Sequence, residues 1–338
     1  MSVRDPKRNK DSVPETHGEA DRGREAESPA QVPPRGWKDV LLRVKKDIKD
    51  DNVSIVAAGV AFFSVLALFP ALIAMISIYG LFVEPEEAAA QAQQLTEVMP
   101  TAAADLIGNQ MQSVADASSG NLSISLIISI AVALWSASSG MNALIQGVNI
   151  AYDEPETRGF IKLRGLALLL TIGAILVFGM AIGAIAVFPA LAGKLPGGQV
   201  LEVVAGVLRW VILGAVIIGA LAVIFRLSPN RDQPRMKWVS SGAIMAAVFW
   251  LLASIGFSFY ANNFGSYNET YGSIAAVIIL MFWLYITAFI ILIGAELNGQ
   301  LELQTRKDTT TGPEKPMGER DAFAADKVAD APETKKKR

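Results

Sequence analysis

The chain of 338 residues contains no cysteine and one histidine, His17, which sits in a charged stretch near the start. Without cysteine there is no disulfide framework, no thiolate metal site and no thiol nucleophile. With a single histidine outside every apolar segment, Ser-His nucleophile pairs and histidine-ligated metals find no support. The phosphate-cradling pattern GxxxxGK[ST] is also missing, so any transport would be gradient-driven, passive or powered by a partner. No cofactor and no metal is called for.

What the chain has in abundance is unbroken hydrophobic sequence. Hydrophobic residues make up 52% of it and the mean hydropathy is +0.38, despite two long polar ends. The excess falls in runs of about 20 or more residues, the length that crosses a hydrocarbon core of roughly 30 Å. A soluble core helix of that length would keep a polar face, and these runs keep none. The fold class is all-α: a polytopic membrane helix bundle. The first run begins near Val53, too late and too long for a cleaved signal peptide.

Residues 1–34 are charged and nearly free of large apolar side chains, and 301–338, ending KKKR, are similar. Such segments bury too little to fold, and both are expected to be disordered tails around a membrane domain at 35–300. Within GWKDVLLRVKKDIKD (36–50), Trp37, Val40, Leu41, Val44 and Ile48 recur at helical spacing opposite Lys and Arg. That pattern predicts an amphipathic helix lying in the headgroup layer.

Six spans are expected near 53–83, 122–146, 163–191, 200–226, 238–261 and 271–299. Pro70 should kink the first. Residues 86–117 carry the spacing of one or two short amphipathic helices, broken near Pro100. Three spans followed by three would set any second half in inverted topology. Lys and Arg number 12 before the first span, 3 in 147–164, 4 in 226–237 and 9 after the last, whereas 84–121 holds six carboxylates and no base. The positive-inside rule then puts both termini in the cytoplasm.

Polar residues inside these runs mark the interior. Trp135, Ser138, Ser139, Asn142, Gln146 and Asn149 recur every three or four residues on one helical face. Facing lipid, they would lack partners, so the stripe should face other helices or a wet cavity, as polar interface or as substrate path. Arg209 lies about two turns inside the fourth span and could reach Glu202, snorkel, or face a central cavity. Glu296 follows Tyr271 by 25 residues, about 37 Å along a helix, which places it at the inner interface beside Arg158 or Arg164. The loop at 152–164 gathers Asp153, Glu154 and Glu156 with Arg158, Lys162 and Arg164, either as mutual pairs or as a gate. Gly179 and Gly183 form a GxxxG contact motif. Trp238, Tyr260, Tyr267 and Tyr271 read as interface anchors.

Four segments, AAGVAFFSVLALFPALI (57–73), LWSASSGMNALIQGVNIAYDEPETRGFIK (134–162), FRLSPN…KWVSSGAIMAAVFWLL (225–252) and YGSIAAVIILMFWLYITAFIILIGAELN (271–298), together resemble the YihY / virulence factor BrkB family of bacterial inner-membrane proteins. The resemblance covers roughly 36–302. It implies six helices in the inner membrane, suggested roles in export of lipid or solute, and shared polar positions at Trp135, Asn142, Asn149, Tyr152, Arg158, Tyr271, Gly272, Glu296 and Asn298. In relatives a Lys or Arg often stands at the place of Ser139. An older label for the family is ribonuclease BN. The residues argue against it: no carboxylate cluster suits two metals, and no basic, aromatic groove would hold nucleic acid. The expected function is a transporter or flippase for a polar or amphipathic substrate, with a membrane scaffold or regulatory protein as alternative. The expected partners are the lipid bilayer and a small polar or lipid substrate, and the oligomeric state stays open.

Overall fold

A computed structural model describes residues 20–79, 124–192, 198–263 and 273–330. Among these residues the regular elements are helices, joined by turns and irregular segments, with one isolated bridge between Pro234 and Thr310. Helix α1 spans Pro34–Asp50, α2 Val53–Tyr79, α3 Ile124–Ala151, α4 Phe160–Ala192, α5 Gly198–Leu227, α6 Met236–Asn263, α7 Ser273–Glu302 and α8 Phe323–Asp326. Among the described residues four segments are long and apolar enough to cross a membrane: Phe160–Ala181, Gly206–Leu227, Met236–Tyr260 and Val277–Glu302. The pair α1 and α2, bent by 64°, adds a fifth if counted as one broken span. The chain is a multi-pass membrane protein. The segment expected as short outer helices, 86–117, lies outside the described residues, as do Tyr267 and Tyr271.

Helices α2 to α7 pack in chain order as a ring, each against the next, and α7 closes it by packing on α2 while also touching α3. Short connections favour such antiparallel neighbours. Lipid is as apolar as leucine, so close approach rather than hydrophobicity must hold the ring. The core reflects this: Ala57, Ala151, Ala222, Ala243, Ala246 and Ala295 are buried together with Val148, Phe225 and Leu292. Glycine works at three crossings. A Cβ on Gly147 would lie 2.9 Å from Leu292 of α7, and one on Gly140 would lie 3.2 Å from the Ser64 backbone of α2. A Cβ on Gly242 of α6 would meet the Gly294 carbonyl and the Asn298 amide, the latter at 2.6 Å. Asn298 staples the same crossing, accepting from the Gly242 N–H at 2.7 Å and donating to the Val239 carbonyl at 3.2 Å. The expected GxxxG contact does not form at Gly179, where a Cβ would meet open space; the side of Gly183 lies outside the described residues.

Three expectations change at the end of the bundle where α1, the 152–159 loop and the 228–235 loop gather. First, residues 303–330 are folded rather than disordered. Arg320 is buried and donates to the carbonyls of Lys315, Lys307, Ala325 and Arg306, gathering the segment around one guanidinium. Residues 20–33 join it: Arg24 donates to the Ala329 carbonyl at 2.5 Å, and the Thr305 hydroxyl to the Ala26 carbonyl at 2.7 Å. Polar composition hid this order, because backbone carbonyls and arginines supply what apolar burial does not. Second, the apolar face of α1 packs largely on protein. Val40 and Val44 are buried with Trp238, Leu297 and Leu301, with Trp37 and Ile48 packed against them, while Leu41 stays exposed. Third, Trp238 is therefore core, not an interface anchor. Helix α2 runs through Pro70 without a break, and a sharp bend of 64° falls between α1 and α2 at Asp51–Asn52, where Asn52 takes φ +50°.

Candidate functional site

Two features of the ring bear on function, an apolar cavity and a charged cluster, here called the seal, at the end of the bundle where the loops gather. The cavity, about 380 Å³, opens between α2, α3, α4 and α7. Its wall is almost wholly apolar, with Ala67, Leu68, Ala137, Met141, Ile175 and Ile291, and with only Ser64, Thr171 and Thr287 bringing hydroxyls. Thr171 spends its hydroxyl on the Ala167 carbonyl at 2.7 Å, in its own helix. A space of this size with an almost wholly apolar wall suits a hydrocarbon chain better than a hydrated solute.

The polar stripe of α3 does not line this cavity as one surface; the structure splits it. Ser138 is buried and bonds back to the Trp135 carbonyl at 2.7 Å. Asn142 is half-buried and Gln146 exposed, so the stripe is not uniformly turned inward. Asn149 is buried and belongs to the seal. Trp135 and Ser139 instead meet Arg164 of α4: the guanidinium lies 4.4 Å from the Trp135 ring centre, donates to the Trp135 carbonyl and reaches the Ser139 hydroxyl at 3.5 Å. Its Nε is buried without a hydrogen-bond partner. A cation from the neighbouring helix thus lies beside Ser139. Arg164 and Thr171 share a face of α4, two turns or about 10 Å apart, so a positive charge stands near the apolar cavity. The sequence signal for it was indirect: a lone Arg at the mouth of an apolar run.

The seal is built from buried ionic contacts. Arg231 and Glu302 pair at 2.7 Å with both side chains fully buried, and the Thr309 hydroxyl donates to the same carboxylate. Arg231 also lies 5.4 Å from the ring centre of buried Tyr152. Burial alone would loosen the Arg231 proton, but the Glu302 charge outweighs it and holds the guanidinium above its ordinary value. Asn149 donates to Glu156 at 2.8 Å and accepts from the Asn230 N–H at 2.8 Å. Arg158 pairs with Glu156 at 2.6 Å and donates to the Ser228 carbonyl at 2.7 Å. Glu154 accepts from the Phe323 N–H at 2.7 Å, tying the C-terminal segment across the loop.

Neither Arg158 nor Arg164 reaches Glu296, contrary to expectation. Glu296 is buried and faces the Asp51 carboxyl. Asp153, at φ +55°, lies near the same group. Arg209 and Glu202 are on α5, with side chains outside the described residues. Among the described residues no three His, Cys, Asp or Glu gather as a metal site. Sequence reasoning missed Asp51, Arg231 and Glu302, whose partners lie far away in the chain.

A ring of apolar helices, with an apolar pocket between α2, α3, α4 and α7 and a cluster of buried charge at one end of the bundle, defines a multi-pass helical membrane protein. Residues 44–319 match the family described as Virulence factor BrkB, and the chain belongs to that family. It is 32% identical over 255 residues to the ribonuclease-like protein YfkH of Bacillus subtilis, covering 72% of this chain and 88% of the relative. UPF0761 membrane proteins of Haemophilus influenzae (24% over 264 residues, covering 76% and 93%) and Aggregatibacter aphrophilus (26% over 279, covering 80% and 95%) are also similar. No solved structure matches the chain.

Proposed function

We propose that this protein is a transporter of amphipathic molecules, a flippase in the broad sense, in the bacterial inner membrane. Its helices α2 to α7 act as six spans with both termini in the cytoplasm, and the sealed end faces inward. The observation that carries the reading is the apolar cavity between α2, α3, α4 and α7, with Arg164 about two turns away on the cavity face of α4. An acyl chain would occupy the cavity while an anionic head meets the guanidinium, which forms charge-assisted bonds to phosphate or carboxylate. A purely polar solute would gain little from these walls, so the amphipathic class is favoured. The protein performs no covalent chemistry in this reading; the ribonuclease-like name belongs to the Bacillus relative.

The test is translocation of fluorescent phospholipid analogues in liposomes containing the purified full chain. Movement faster than in protein-free liposomes is expected, and greater for anionic than for zwitterionic analogues. Movement no faster than in protein-free liposomes, for every analogue, would overturn it. The scaffold alternative draws on the folded platform made by residues 20–50 and 303–330. It predicts a partner that co-purifies with the chain and is lost when 303–338 are deleted.

A further inference from the structure

We propose that Asp51 and Glu296 form a proton-binding site, in which the two carboxyls share one proton and thereby hold the α1–α2 elbow against α7. Four carboxylates are buried among the described residues, and three have a cation: Asp39 has Arg22, Glu302 has Arg231, and Asp308 has Arg320 at 3.9 Å. Glu296, 1% exposed, has none, and its Oε1 is buried without a hydrogen-bond donor. A lone carboxylate in such a place would have lost its hydration with nothing in return. Its neighbour is another acid, Asp51, within hydrogen-bonding reach. Two ionised carboxylates repel, whereas one proton between them makes a bond. A second buried oxygen, the Tyr152 hydroxyl, is also without a partner in this region.

The surrounding charges reinforce the arrangement. Asp47 from α1 and Asp153 from the 152–159 loop add negative potential at Glu296. Asp47 accepts from Gln300 at 2.7 Å, and Asp50 adds a further negative charge beside Asp51 while pairing with Lys46 at 3.7 Å. The cations in the neighbourhood are committed elsewhere: Arg43 and Lys46 act on Asp47, Lys327 on Asp153, and Arg231 on Glu302. Burial holds both Asp51 and Asp153 above the ordinary aspartate range. The site also sits on a mechanical joint. The helices bend by 64° at Asp51–Asn52, and Asn52 holds a left-handed φ of +50°. Losing the proton places two negative charges in contact at this joint, which drives the elbow from α7.

The proton site stands whether or not the chain moves lipid, and its test uses no substrate. Infrared titration of the purified full chain in detergent should show a protonated-carboxyl band at neutral pH. Glu296→Gln should remove it, whereas Asp51→Asn should shift its frequency, because buried Glu296 then keeps its proton beside a different partner. In parallel, the melting temperature of the native chain should fall from about pH 6 to about pH 9, because a carboxyl that binds its proton more tightly when folded loses stability as pH rises. The Glu296→Gln melting temperature should be nearly flat across that window. If the Gln variant does not fold, the frequency shift of the band in Asp51→Asn carries the test. A native chain without the band at neutral pH, a Glu296→Gln chain that keeps both band and pH slope, or an Asp51→Asn band at the native frequency would overturn the site.

Discussion

Replacing Arg231 by Met should release the C-terminal segment from the bundle, and the size of the effect follows from burial. Both partners of the Arg231–Glu302 pair are fully buried, and the carboxylate is shared with Thr309. Removing the guanidinium leaves Glu302 charged and unpaired, a loss of about 3–5 kcal/mol for a broken buried pair. Lys307, Lys315, Arg320 and Lys327 lie in the segment that this pair anchors. If cleavage by trypsin follows transient opening, that energy raises the rate at these sites by roughly two to four orders of magnitude. The double variant Arg231→Met with Glu302→Leu removes the orphan charge together with its partner. It should recover most of the loss, short of about 1 kcal/mol for the Thr309 hydroxyl left without an acceptor. Equal cleavage rates for the single and double variants would refute the argument, since they would mean that the pair carries no specific load.

Other contacts give sharper contrasts. Gly242→Ala drives a methyl into the Gly294 carbonyl and the Asn298 amide, and should cost at least the roughly 1–3 kcal/mol typical of overpacking; Gly179→Ala, in open space, should leave the melting temperature unchanged. Arg164→Gln should lower translocation of anionic analogues several-fold while leaving zwitterionic ones near the native rate, as followed in the liposome assay. Burial alone would raise the Glu156 carboxyl, but hydrogen bonds and charge from Arg158, with Asn149, hold it below its ordinary value. Its contribution is therefore full above the unfolded carboxylate range near pH 4.3 and is lost as pH falls through the folded value. Hydrogen exchange of the 152–159 loop should accelerate in acid, and in Glu156→Gln the loop should exchange fast already at neutral pH.

The apolar runs exposed the helices because a hydrocarbon solvent imposes length and composition on anything that crosses it. The expected start near Val53 is the start of α2, and the expected end near 299 falls within the last turn of α7. What could not be read was which polar groups meet. Periodicity gathers Ser139, Asn142, Gln146 and Asn149 onto one face of a single helix. It says nothing of the helices beside that face, which send Ser139 to Arg164, Asn149 to the seal and Gln146 to the surface. The folded segments at 20–33 and 303–330 were illegible for a related reason. Their order rests on Arg24 and Arg320 donating to backbone carbonyls, and composition carries no trace of such bonds. For Glu296 the expected partner is the wrong one, because an acid is expected to seek a base and this one faces Asp51.

The cavity is the centre of the functional account, and filling it is the most direct trial. Ala174, on its wall and otherwise exposed, can be changed to Trp without disturbing the ring core. Translocation of an anionic phospholipid analogue should then fall to the protein-free rate, while the melting temperature stays within a few degrees of native. An Ala174→Trp chain that folds and still moves lipid at the native rate would contradict passage through this cavity.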